Sequence, residues 1–316
     1  MDSNGERNFY RTLGAAMRRE FGCNVWKVSV DAGFSCPNVY VDGGGKICGG
    51  CIFCNIDSFS PSRRLVAGEP VLAQIDAGII QLKRRYPKAQ KFIAYFQPST
   101  NTNAPPERLK TIYNEALQHP EVVGLSIGTR PDVLPEAALD VLTKISAEKY
   151  LQLEIGLQSI HQKSLDFLNR GHDYAVFVDA FERVRRRNIR IGVHLILGIP
   201  NESRDDIIAT AAEMARLQPD SIKLHNLCVV RGTRLADYWQ NDKVQLLTLE
   251  EYAEVAVDFL ERIPQNVVIE RIASEAAEDY IIAPTWSKIK HAARNKINNI
   301  FINRKSCQGK FVSDRN

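Results

Sequence analysis

Seven short apolar runs recur along this chain, at residues 25–30, 91–97, 122–127, 151–157, 189–197, 221–227 and 267–269, with amphipathic segments of helical period between them. That alternation predicts βαβ units, whose parallel strands need long crossover helices and so gather into one sheet. The helices announce themselves at their starts. Pro105-Pro106-Glu107 and Leu134-Pro135-Glu136 put proline at or just before a first helical turn with an acid behind it, and Ser203 with Asp205 and Asp206 supplies a cap and dipole-compatible charge. Six or so repeats predict an α/β fold, a partial (β/α)6 barrel over residues 1–235. Beyond 235 the rhythm gives way to helical segments at 248–262 and 285–300, so 236–316 is expected to be a C-terminal helical extension.

Ligands of parallel folds gather at the carboxyl ends of the strands, and the residues able to do chemistry lie there. A cysteine-rich segment follows the first run, Gln97-Pro98-Ser99-Thr100 the second, Gly128-Thr129-Arg130-Pro131-Asp132 the third, Gln158-Ser159 the fourth and Gly198-Ile199-Pro200 the fifth. Seven cysteines are an odd number, and Cys36, Cys48, Cys51 and Cys54 crowd into one stretch, which fits metal ligation better than a disulfide framework. Cys51-Ile52-Phe53-Cys54 offers two thiolates from one tight turn, with Cys36 arriving across a glycine-rich loop, as an iron–sulfur cluster requires. Four thiolates would equally close a structural zinc site.

The stretches 28–38, 49–55, 95–97, 128–132, 154–159, 169–172 and 194–200 resemble, in that order, the radical S-adenosylmethionine (SAM) enzymes. The resemblance is nearest to the YhcC-like group, with the catalytic subunit of Elongator more distant. Two features depart from the pattern: Asn38-Val39-Tyr40-Val41-Asp42-Gly43 replaces the usual Asn-Arg-Asp-Gly run, and Cys48 is an additional cysteine that competes with Cys36 for the third ligand position.

The resemblance implies a [4Fe–4S] cluster on Cys36, Cys51 and Cys54 with one iron left open for SAM, and a reductant protein such as flavodoxin or ferredoxin. It places Glu154, Gln158 and Ser159 near the ribose and methionine portions of SAM. Gln97, Ser99 and Thr100 fall by the amino group, and Ile196, Gly198 and Pro200 by adenine. Arg170 is expected to fork onto the methionine carboxylate, on a strand-end loop away from the thiolates. His194 and His225, in apolar runs, read as satisfied core residues more readily than as functional ones, and Cys228 as an inert thiol.

Lys and Arg total 41 against 37 Asp and Glu, too small an excess to imply nucleic acid. The excess is local: residues 286–316 hold Lys288, Lys290, Arg294, Lys296, Arg304, Lys305, Lys310 and Arg315 against Asp314 alone. Trp286, Ile289, Ala293, Ile297 and Ile300 recur at helical spacing, predicting a helix that closes the open side of the barrel with its lysines solvated, or else offers them to RNA. The first seven residues lack the layout of a secretory leader and no apolar run is long enough to span a bilayer, so a cytoplasmic enzyme without membrane contact is expected. Three functions stay open at this level: a radical SAM enzyme acting on RNA, one acting on a small metabolite, and a non-catalytic zinc-stabilised module. No acetyltransferase-like region follows the barrel, so the full Elongator reaction is not expected.

Overall fold

The computed structural model describes residues 8–45, 47–60, 68–274 and 276–312; the first seven residues and Asp314 and Arg315 lie outside them. Its strands are β1 (Val25–Val30), β2 (Val39–Val41), β3 (Ile47–Gly49), β4 (Lys91–Phe96), β5 (Val122–Thr129), β6 (Tyr150–Gln158), β7 (Arg190–Leu197), β8 (Ser221–Asn226), β9 (Val229–Val230), β10 (Val268–Arg271) and β11 (Ile281–Ala283). Seven of them form one sheet in the order β1-β4-β5-β6-β7-β8-β10, every pairing parallel. The order follows the chain without reversal. Right-handed crossovers then put the helices that connect the strands on one face, and the sheet curls into a half-barrel around the other.

The two faces differ in chemistry, and alternation along each strand explains how. Leu151, Leu153, Ile155 and Leu157 of β6, Ile191, Val193, Leu195 and Leu197 of β7, and Ile222 and Leu224 of β8 are all at most 2% exposed and join the main apolar core beneath the helices. Burying each such side chain contributes about 1.5 to 3 kcal/mol. The intervening residues belong to the inner face: Lys27, Ser29, Tyr95, Ser126, Gln152, Glu154, His194, Lys223, His225 and Glu270. A barrel built for stability fills that lumen with Val, Ile and Leu; this one fills it with hydrogen-bonding groups.

The predicted helix starts are present. Pro106–Leu117 begins with proline in its first turn, Glu136–Ser146 follows Pro135, and Arg204–Leu217 starts at a Ser203/Asp206 capping box. The boundary at 235 is crossed by the sheet, because β10 supplies the seventh strand from within the expected extension. The expected continuous helix over 285–300 is two pieces: a 3-10 turn, Thr285–Lys288, and a helix, Ala292–Arg304. His291, at φ 64° in the left-handed region, stops the helical path between them, and Ile289 is turned out at 64% exposure. Ala293, Ile297 and Ile300 keep the apolar stripe, which packs on the helix Leu249–Leu260. The open seam between β1 and β10 is spanned instead by residues 11–21: Ile269 N–H donates to the Arg11 carbonyl at 2.8 Å, Thr12 bridges Ile269, and the helix Leu13–Phe21 packs on both strands.

Candidate active site

The cysteine loop is a hairpin with its ends clamped by distant segments. β2 and β3 pair antiparallel between Cys36 and Cys51, and Gly50 N–H closes onto the Asn38 carbonyl at 2.6 Å. Asn38 Nδ2 donates to the Asn169 carbonyl (2.8 Å), while Asn169 Nδ2 donates to the Gly50 carbonyl (2.7 Å). Ile52 N–H reaches the Leu168 carbonyl (3.0 Å) and Leu235 N–H reaches the Ile52 carbonyl (2.9 Å). The Ile52 side chain, 2% exposed, anchors the loop in a second apolar cluster with Leu168, Ile196, Ile199, Leu227 and Leu235.

Cys54 N–H donates to the Cys51 carbonyl at 3.1 Å, closing the Cys-x-x-Cys turn. Burial, and then the thiolates of Cys51 and Cys36, push the Cys54 thiol up to about 12. Since Cys54 is exposed as a residue, the neighbouring thiolates are the cause that carries weight. Cys48 is turned away: its Sγ donates to Asp42 Oδ2 at 3.5 Å, and it takes no part in raising Cys54. Among the described residues no set of three His, Cys, Asp or Glu side chains stands in preformed metal-binding geometry. The fit of the loop to a metal group rests on its donors: the free, soft sulfurs of Cys36, Cys51 and Cys54 on one loop, with Arg170 Nη1 against Cys51 Sγ.

Two buried arginines line the loop. Arg130, 3% exposed, follows β5 and grips Asp132 with Nε and Nη2, both at 2.9 Å, leaving Nη1 without a partner. Burial works against its charge, while Asp132 and then the Cys36 and Cys51 thiolates favour it. Arg170, 7% exposed, donates from Nη2 to the Gly156 carbonyl (2.7 Å) and from Nη1 to Cys51 Sγ (3.4 Å), and its Nε has no partner. A Cβ at Gly156 would stand 2.6 Å from Arg170 Nη2, and one at Gly171, where φ is +75°, would stand 2.7 Å from Asn38 Oδ1, so both glycines keep space for these groups. His172 is held neutral, lowered to about 4 by burial and the Arg170 charge. Its Nδ1 donates to the Asp173 carbonyl (3.1 Å).

Below the loop the lumen holds a charged network. Glu154, fully enclosed, accepts from Lys27 Nζ (2.6 Å), Ser126 Oγ (2.5 Å), Tyr95 OH (2.8 Å), His194 Nε2 (2.8 Å) and Lys223 Nζ. Glu270 accepts from Lys27 (2.7 Å), Ser221 Oγ (2.6 Å) and Gln152, with Lys223 at 3.5 Å. Burial opposes both carboxylates, yet Lys223 and Lys27 hold Glu154 well below the usual carboxylate range, and the same two lysines hold Glu270 at about 2. Burial and the Glu154 charge raise the Tyr95 hydroxyl. Lys27, Ser29, Tyr95, Gln97, Lys223, Glu270 and Arg271 line a cavity of about 390 Å³ that opens at the seam between β1 and β10. His225 Nε2, beside the His194 ring, is buried without a hydrogen-bond partner.

A profile of the Radical SAM superfamily matches residues 48–214, more than half of the chain, and one of the Radical_SAM C-terminal domain matches residues 219–301. The chain belongs to the radical SAM superfamily. It is 36% identical over 312 residues to the uncharacterised YtqA of Bacillus subtilis, covering 98% of this chain and 94% of that protein. To YhcC of Escherichia coli K12 it is 34% identical over 276 residues, 87% of this chain and 86% of that one. Among solved structures, an archaeal Elp3 from Methanocaldococcus infernus superposes with a TM-score of 0.69 at 20% identity, covering 90% of this chain and 64% of that one, and shares the fold. Methylornithine synthase (PylB) superposes at 0.54 and 15% identity, covering 81% of this chain and 67% of that one.

As a radical SAM enzyme, the protein works with a [4Fe–4S] cluster and SAM. The expected site residues fall in three places. Gln97 borders the seam cavity, bonded to Ser29 and the Phe59 carbonyl, with Ser99 at φ 65° and the fully buried Thr100, whose Oγ1 has no partner, just beyond it. Ile196 belongs to the apolar cluster under the cysteine loop, Gln158 ends β6 at φ 77°, and Arg170 touches Cys51. Gly198 and Pro200 face a separate cavity of about 800 Å³ beside Leu247 and Glu202, and Ser159 Oγ donates to Glu202 at 2.5 Å. Two expectations are corrected. Arg170 lies against the thiolates rather than away from them, because the turn at Gly171 folds it back under the loop; Glu154 lies mid-strand, enclosed by five donors, rather than at a strand end. Sequence reasoning did not single out Lys27, Lys223 and Glu270; their signal was a polar residue at alternate places in apolar strands.

Proposed function

We propose that Cys36, Cys51 and Cys54 hold the [4Fe–4S] cluster, that SAM binds beside it over the carboxyl ends of β4 to β7, and that the substrate is RNA. One observation carries the site: Arg170 Nη1 reaches Cys51 Sγ at the closed Cys51–Cys54 turn, with Asn38 Nδ2 at 3.7 Å from the same sulfur, while Cys48 Sγ faces Asp42. When bound and reduced, the cluster supplies the electron that splits SAM into methionine and a 5′-deoxyadenosyl radical able to abstract a hydrogen atom. The protein's part is to position and enclose. Gln97, Ser99 and Thr100 at the end of β4 and Gln158 and Ser159 at the end of β6 present polar groups for the methionine and ribose ends, and Ile196 with Gly198 and Pro200 an apolar shelf for adenine.

The RNA reading rests on two supports. The tRNA uridine(34) acetyltransferase of Methanocaldococcus jannaschii is 26% identical over 172 residues, 54% of this chain and 31% of that protein. Lys288, Lys290, His291 and Arg294 are exposed together after β11. Anaerobic reconstitution of wild type and the four single cysteine-to-alanine variants tests the site. Iron is expected to be lost with Cys36, Cys51 or Cys54 and kept without Cys48; the opposite result for Cys36 and Cys48 overturns the ligand set, and bound zinc with no 5′-deoxyadenosine overturns the reaction. Bulk RNA is expected to stimulate 5′-deoxyadenosine release from the reduced enzyme, and stimulation by a small-metabolite fraction alone refutes the RNA substrate.

A further inference from the structure

We infer that Arg130 and Arg170 form a cationic cradle for the cluster, setting its reduction potential through N–H···S bonds and buried charge. The inference rests on the cluster being held by Cys36, Cys51 and Cys54. Both guanidiniums are more than nine-tenths buried, and each keeps an N–H with no acceptor: Nη1 of Arg130 and Nε of Arg170. A buried donor left unmade costs about 1 to 3 kcal/mol, more on a charged group, so two side by side mark a place for an acceptor that the polypeptide does not supply. Their surroundings say which acceptor. Arg170 Nη1 already reaches Cys51 Sγ at 3.4 Å, Asn38 Nδ2 stands 3.7 Å from the same sulfur, and Arg130 Nη2 lies 3.4 Å from where a Cβ on Gly171 would stand, a position that is also 2.7 Å from Asn38 Oδ1. Soft, anionic sulfur is therefore the group that these donors meet.

Reduction adds one electron, delivered by a low-potential reductant, to a cluster already made anionic by its thiolates. Buried cations and sulfur-directed hydrogen bonds stabilise that added charge and raise the potential. Asp132 works against this: it ties two of Arg130's nitrogens and neutralises part of its charge. Arg130 and Arg170 are thus positioning residues whose effect is electrostatic, and Asp132 tempers one of them.

The test is an EPR-monitored reductive titration of reconstituted protein without SAM, with iron content measured on each sample. Arg130→Gln and Arg170→Gln are each expected to make reduction at least tenfold less favourable, a fall of about 59 mV for a one-electron couple. Asp132→Asn is expected to shift the potential the other way, a sign that a general loss of packing would not produce. Full iron content with an unchanged potential in both glutamine variants overturns the cradle while leaving the ligand assignment intact; no cluster in wild type fails the assignment itself. If the glutamine variants do not load, Asp132→Asn decides alone, and an unchanged or lowered potential there overturns the inference.

Discussion

Glu154→Gln is expected to destabilise the protein severely, and the lumen geometry sets the size. The glutamine keeps the shape but carries one acceptor oxygen and an amide donor where Glu154 meets five donors: Lys27, Ser126, Tyr95, His194 and Lys223. Whichever way the amide turns, its N–H2 faces one of the two ammoniums, Lys27 or Lys223, and Glu270 is left as the only carboxylate they share. Removing one partner from a buried ionic network costs about 3 to 5 kcal/mol because the charge left behind stays buried. At roughly 1.5 °C per kcal/mol for a chain of this length, the thermal midpoint drops by roughly 5 to 8 °C. Urea titration followed by circular dichroism, on proteins of equal iron content, measures the loss. The companion variant Lys223→Met removes the matching charge, so the double variant should be more stable than the sum of the single losses by about 0.5 to 3 kcal/mol. A single variant within about 1 kcal/mol of wild type, or strictly additive losses, refutes the account of Glu154 as the centre of this network.

Acidification should act on the same network. The folded-state pKa of Glu270 is depressed, from 4.5 to about 2, so its contribution is fully present above about pH 4.5 and fades as pH falls toward 2; urea midpoints should decline across that window, less so in Lys27→Met. Gly156→Ala forces a Cβ to within 2.6 Å of Arg170 Nη2; overpacking of this kind costs about 1 to 3 kcal/mol, and it should displace the guanidinium from Cys51, read as a lower midpoint with reduced iron retention. Lys296 is paired with Glu250, so RNA contact should fall to Lys288, Lys290 and Arg294. Filter binding of bulk tRNA should lose roughly 0.7 of log–log salt slope for each single-strand phosphate contact removed, about 2 for the triple alanine variant, and equal slopes end the RNA reading.

The sheet and the Cys51–Cys54 turn were legible because each was written locally. An outward-facing strand face leaves an apolar run, and Cys-x-x-Cys leaves its spacing, so both survive being read one segment at a time. The lumen network was not local: Lys27, Glu154, Lys223 and Glu270 sit on four strands and meet only when the sheet curls, and each is one polar letter inside an apolar run. Motif position records where Glu154 falls in the chain but not that five side chains enclose it. The C-terminal helix was misread for another reason. Helical spacing from Trp286 to Ile300 is real, but nothing in that spacing reports the left-handed backbone at His291, and Ile289 consequently faces solvent.

The clamp on the cysteine loop gives the ligands a timetable. Gly50 is fastened by Asn169, 119 residues later, and by Arg234, 184 residues later. At synthesis rates of about 5 to 20 residues per second, these fasteners emerge between roughly 6 and 37 s after the loop they hold. Through that interval Cys36, Cys48, Cys51 and Cys54 belong to an unfastened thiol-rich segment in which nothing separates Cys48 from the other three. Fastening therefore comes late, when Asn169 and Arg170 arrive to hold Gly50 and Cys51.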